Sequence, residues 1–147
     1  VPVQGAVEVK TQNSVVVKAI DSPLTTKVTE SIYPVTTVKV TQGYRFYHPG
    51  VDLDGETGDL IKPIKSGVVE KVISSKVGYG NHIYVNHGDG VISLYAHLSQ
   101  IFVKEGDSVH TGTILGLMGS TGRSTGAHLH LEVRVNGRSV DPLKVIQ

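Results

Sequence analysis

Seven histidines and no cysteine set the chemistry open to this 147-residue chain. The lack of thiols excludes disulfides, thiolate metal sites and cysteine nucleophiles together. Metal binding or proton transfer therefore falls to imidazoles and carboxylates. Two histidines, His128 and His130, stand one residue apart in the stretch AHLHLEVRVNG. Side chains alternate along a strand, so both rings project from the same side. His48 opens HPGVD, which places Asp52 four residues later. In a fully extended strand the two Cα atoms would lie roughly 13 Å apart, too far for one ion. Pro49 and Gly50 lie between them and permit a bend that brings imidazole and carboxylate together. Both groups are good zinc ligands, and two histidines with one carboxylate leave a fourth position for water, the pattern of a catalytic zinc site. On residue types alone, His128 and His130 can both point at one ion. The plain alternatives are solvated histidines and loop residues that hydrogen-bond their own turn.

The elements that carry these residues read as strands. From 127 to 135 the apolar residues fall at 129, 131, 133 and 135, while His128, His130, Glu132 and Arg134 occupy the other face, and Asn136-Gly137 follows as a two-residue hairpin turn. In VISLYAHLS, Val91, Ser93, Tyr95 and His97 share one face; Ile92, Leu94, Ala96 and Leu98 share the other and are expected to be core. Further strands are expected at 35–41, 67–74, 82–85 and 111–118. Turns are expected at 78–80, 88–90 and 106–107. No window shows a long amphipathic helix. The expectation is an all-β fold of mainly antiparallel sheets, an open β-sandwich or barrel-like structure with few or no long helices.

The length corresponds to about one domain. Residues 1–32 are polar, threonine-rich and too few for a core of their own, so they read as a leader or linker, with one domain at 33–147. A first residue of Val1 suggests a mature or trimmed segment. A net charge of +1 gives no support for nucleic-acid binding. The apolar runs are too short for a transmembrane segment.

Taken in order, GYRFYHPGVDL, IKSGVV, GYGNHIYVNHGDG, LYAHLS, the run from VKEGDSVH to HLHLEVRVNG, and the closing DP resemble the M23 family of zinc metallopeptidases, the lysostaphin- and LytM-like peptidoglycan endopeptidases. The resemblance spans residues 33–142. It implies one Zn2+ held by His48, Asp52 and His130, with His97 and His128 as catalytic residues that do not bind the metal. His128 as an additional ligand would close the fourth position and leave no place for water. The expected activity is zinc-dependent hydrolysis of peptide stems or cross-links of bacterial peptidoglycan, by an extracytoplasmic protein expected to be monomeric. Asn81 and Tyr44 are candidate substrate-binding residues; Tyr44 and Tyr47 flank the His48 segment, where either could reach the groove, and packing is the simpler explanation for each. His82 and His110 read as surface positions, and His87 as a turn residue.

Other readings carry less. A non-catalytic M23-like domain acting as a wall-binding or hydrolase-activating partner is expected to lose ligand residues, whereas all five key positions are present here. The glycine-rich run 116–126 lacks the Gly-Lys-Ser/Thr of a phosphate loop. A biotinyl- or lipoyl-type carrier would need a lysine beside Met118, which has none. A purely structural zinc site would not call for two further histidines on the same face.

Overall fold

A computed structural model describes residues 31–36, 38–45 and 47–146. Except for Ser31 and Ile32, the expected leader lies outside the described residues. Ten strands form one antiparallel sheet system: β1 (Val40–Gln42), β2 (Val51–Asp54), β3 (Leu60–Ile61), β4 (Gly67–Ile73), β5 (Asn81–Gly88), β6 (Val91–Ile101), β7 (Ser108–Val109), β8 (Gly116–Met118), β9 (His128–Val135) and β10 (Arg138–Val140). The main order is β1-β2-β9-β6-β5-β4-β7. β10 flanks β9, while β8 joins β6 to β3. A 3-10 turn at Pro142–Lys144 follows, N-capped by the Asp141 side chain. Among the described residues, no helix is long and apolar enough to cross a membrane. The fold is the expected all-β one.

β9 is the strand that organises the site. Leu129, Leu131 and Val133 are fully buried in the core cluster, as their alternation requires. Burying side chains of this kind contributes about 1.5–3 kcal/mol each. The hairpin to β10 turns at Asn136 and Gly137, with φ of 52° and 82°. Two adjacent positive φ values are what a type I′ turn needs, and Asn-Gly supplies them at low cost.

Several expected strands are shorter than their apolar runs. Among the described residues of 35–41 only Val40 and Thr41 enter the sheet, and of 111–118 only Gly116–Met118. β2 was not anticipated. It is four residues long and lies between Gly50 and Gly55, so its alternation of Val51 and Leu53 with Asp52 and Asp54 is too brief to stand out from a loop.

Of the β6 residues expected in the core, Leu94, Ala96 and Leu98 are buried, but so is the face expected to be the more polar one. Tyr95 and Ser93 pair with Leu131 and Val133 and face the core, where the Tyr95 hydroxyl accepts from the Ile64 N–H at 3.0 Å and from Ser93 Oγ at 2.6 Å. Leu94 and Ala96 lie opposite Glu132 and His130 on the other face, and are buried there. Both faces of this central strand are covered, so polarity alone did not identify the core side. Strand parity would then send His97 into the core. Instead, β6 carries an extra residue where Asn81 and Ile83 of β5 pair with Leu98 and Tyr95. His97 adopts φ 65° at this bulge, which swings its ring to the His130 face and returns Leu98 to the core. A non-glycine residue in this region costs energy. It is held by its N–H bond to the Tyr79 carbonyl at 2.8 Å.

Candidate metal centre

The register of β2 against β9 builds the centre. Asp52 lies directly opposite His130, and Asp54 opposite His128. Cross-strand partners in an antiparallel pair share a face, so the Asp52 carboxylate meets the His130 ring without any loop having to deliver it. His130 Nδ1 lies 2.8 Å from Asp52 Oδ1. His48 arrives from a tight turn in which Arg45 and His48 exchange backbone hydrogen bonds at 2.9 and 3.0 Å. The chain bends at Gly50, and His48 Nε2 comes to 3.4 Å from Asp52 Oδ2. Gly50 is required here for space and not for unusual φ. A Cβ at this position would overlap the Leu131 carbonyl oxygen and sit 2.9 Å from Glu132 Cγ.

Ligand atoms of His48, Asp52 and His130 all lie within 4.8 Å of one another, so one ion could be shared by the three. The donor set, two imidazoles and a carboxylate, suits zinc. The orientation of the rings fits as well. His48 Nδ1 is 2.9 Å from the Gly43 carbonyl oxygen. A carbonyl only accepts, so Nδ1 carries the proton and Nε2 is left free to ligate. His130 is turned the other way: Nε2 lies 2.9 Å from Glu132 Oε2, so a ring proton held there leaves Nδ1 facing the centre. Asp54, which shares the parity of Asp52, pairs instead with Lys39 at 3.9 Å and is half-exposed.

His97 and His128 adjoin this trio. Their ring centroids are 4.8 Å apart, and that of His97 is 6.1 Å from that of His130. His97 Nδ1 donates to the Thr121 carbonyl at 2.7 Å, and His128 Nδ1 to the Gly126 carbonyl at 3.0 Å. With Nδ1 so engaged, Nε2 is the open nitrogen of each ring. His128 Nε2 is 3.7 Å from Asp52 Oδ1, yet His128 is not one of the three residues whose donors converge on one point. The structure thus brings together all five histidine and aspartate positions expected from the sequence.

Electrostatics follow from this crowding. Burial opposes charge on the His130 ring, but its hydrogen bonds to Asp52 and Glu132, with the charges of both, outweigh it and push the pKa up to about 9. Burial would raise Asp52, yet the His130 hydrogen bond and the surrounding imidazoles bring it below the usual carboxylate range. Burial lowers the pKa of His97, which favours its neutral form.

The candidate substrate residues Asn81 and Tyr44 make hydrogen bonds within the protein. Asn81 accepts from the Ser75 N–H at 3.2 Å and donates to the Leu98 carbonyl at 3.0 Å, clamping the bulge that carries His97. The Tyr44 hydroxyl donates to the Ser139 carbonyl at 2.9 Å. Tyr47 is exposed. His110 is exposed as expected, but His82 is not a surface residue: it is 8% exposed, packed between Tyr79 and Tyr84 with centroids at 5.2 and 5.6 Å. His87 bridges the Ser66 carbonyl and Ser93 Oγ at 2.9 and 2.7 Å. Glu132 and Tyr79 were missed. The signal available was a glutamate two residues after His130 on the same strand face.

The sequence matches Peptidase family M23 over residues 46–142. The chain belongs to Peptidase family M23. Among M23-like relatives, it is 38% identical over 125 residues to the DD-carboxypeptidase/endopeptidase Mpg of Neisseria meningitidis, covering 78% of this chain and 29% of that protein. It is 38% identical over 97 residues to the murein hydrolase activator NlpD of Salmonella dublin, covering 66% of this chain and 26% of that one. The chain thus spans under a third of either relative. A zinc-containing peptidase from Vibrio cholerae has a similar structure, with a TM-score of 0.72 and 31% identity, covering 77% of this chain and 39% of that one.

Proposed function

We propose that residues 33–147 form a zinc-dependent endopeptidase domain that hydrolyses peptide stems or cross-links of bacterial peptidoglycan outside the cytoplasm. The observation that carries this reading is an open three-donor group, His48–Asp52–His130, with two further imidazoles turned toward it that are free at Nε2. A structural metal site would have its fourth ligand from the protein. Membership of M23 and the peptidase relative support the reaction class.

His48 through Nε2, Asp52 through its carboxylate and His130 through Nδ1 would hold the ion. When bound, zinc lowers the pKa of a water to about 7 and polarises a carbonyl. The chain itself supplies the proton handling. His97, kept neutral by burial and fixed by Thr121, accepts the proton of the attacking water. His128, held by Gly126 through Nδ1, would carry a second proton on Nε2 and from there donate a hydrogen bond to the oxygen on which charge develops. The proton then passes to the leaving amine. No His-Glu-x-x-His motif is present in the sequence, so the glutamate base of that class is absent.

An activator role of the NlpD kind would leave the ligand set without catalytic use, and it makes the opposite forecast in one assay. Mass spectrometry of muropeptides released from purified walls should show new peptide-bond cleavage that stops after rigorous chelation and returns with zinc. Release that persists undiminished without metal, or no release by the zinc-loaded protein, sinks the proposal.

A further inference from the structure

We propose that Glu132 is a positioning residue for the metal centre: by accepting Nε2–H of His130 it selects the tautomer whose Nδ1 faces the ion, and Tyr79 and Arg134 clamp the carboxylate in that task. The inference rests on the metal-centre reading above and adds a support layer to it.

The geometry begins with a conflict. His130 lies between two carboxylates, Asp52 at 2.8 Å from Nδ1 and Glu132 at 2.9 Å from Nε2. A neutral ring has one proton for the two positions. If the proton sits on Nδ1, it faces Asp52 and blocks the ligand nitrogen. If it sits on Nε2, Nδ1 is free. Asp52 is itself a proposed ligand, so in the loaded centre Glu132 is the acceptor that remains for the ring proton. Glu132 is 1% exposed, so its charge is shielded from water and its acceptor positions must be filled by protein. Its Oε1 accepts from Arg134 Nη2 at 2.9 Å, and its Oε2 accepts from the Tyr79 hydroxyl as well as from His130.

The donors come from two separate elements. Arg134 is on β9, its guanidinium 5.7 Å from the centre of the Tyr84 ring. Tyr79 lies in the turn between β4 and β5. The Tyr79 ring is also stacked on His130, with centroids 5.7 Å apart and planes at 27°, so it restrains the imidazole from its face as well as through the carboxylate. A buried ion pair is weak evidence of stability, because apolar residues of similar volume often serve as well. An apolar residue at 132 could not receive Nε2–H. Outer-shell carboxylates of this kind fix ligand tautomer and orientation in metal sites.

The test measures zinc affinity by competition with a chromogenic chelator, alongside thermal melting of the metal-free protein. Glu132→Gln should weaken zinc binding roughly 10–100-fold. Tyr79→Phe keeps the ring and removes one hydrogen bond, and should weaken it about 3–10-fold. In zinc-loaded protein the Nε2–H proton of His130 should be observable by NMR as hydrogen-bonded, and should shift in both variants. Folded Glu132→Gln with unchanged affinity overturns the proposal, even where its metal-free melting temperature falls, because that is the signature of a merely structural carboxylate. Should Glu132→Gln not fold, unchanged affinity in Tyr79→Phe overturns it instead. His130→Ala separates the two readings. Loss of zinc there with full retention in Glu132→Gln defeats the positioning role alone, whereas full retention in His130→Ala defeats the metal centre and this inference together.

Discussion

In the middle of β9 the two faces are both buried, and by opposite means. On one side, Leu129, Leu131 and Val133 are fully buried among other apolar side chains. On the other, His130 is 6% exposed and Glu132 1%, and both are held by charged or hydrogen-bonded partners. The apolar face needs volume and shape, and tolerates swaps that preserve them. The polar face needs every partner, because an unpaired buried group costs more than the bond it once made. One strand can therefore carry the core and the chemistry back to back, provided that each face fails in its own way.

Loss of a ligand should break this contrast most severely. His48→Ala, Asp52→Ala and His130→Ala should each lose bound zinc, by elemental analysis, and take hydrolysis of purified peptidoglycan to background. Next, His97→Ala and His128→Ala should lower kcat about 10²–10⁴-fold with zinc content largely retained. If His128→Ala removed the metal as thoroughly as His130→Ala, the division between ligand and proton handler would be wrong. On the apolar face, Leu131→Ala should cost about 2–5 kcal/mol in urea denaturation, while the protein that remains folded keeps its zinc. A loss of metal affinity in that folded fraction would mean that the faces are not independent. Smallest is Tyr44→Phe, which deletes the bond to the Ser139 carbonyl. It should cost about 0.5–1.5 kcal/mol in the same denaturation and leave kcat/KM unaltered. A drop in kcat/KM would place Tyr44 in the substrate site.

The position that joins the two faces is Gly50. It is the one residue of the His48–Asp52 segment whose missing side chain is required by the neighbouring strand, since a Cβ would meet the Leu131 carbonyl on the strand that carries His130. The HPGVD spacing showed that a glycine stood there, and a bend was the natural reading. That the glycine serves close approach and not backbone freedom became visible only with β9 in place.

The alternation of 129, 131, 133 and 135 against 128, 130, 132 and 134 is a property of a single strand, so its register, its core side and the common side of the two histidines were legible in the amino-acid sequence. So was the Asn136-Gly137 turn, because its φ values are set by the two residues themselves. The ordered motifs likewise carried the five positions that gather at the centre. Tertiary structure decided what depends on a second segment. β2 is too short to declare itself, and it becomes a strand by pairing with β9, which sets Asp52 against His130. His97 reaches the site through a bulge set by β5 and a left-handed φ, against the parity of its own strand. Glu132 looked like the outer face of a strand until Tyr79 and Arg134 closed over it. Alternation within a strand is local and can be read from one stretch of chain. Burial of a polar face, and the partners that make it tolerable, are created by segments distant in sequence and exist only once these have packed.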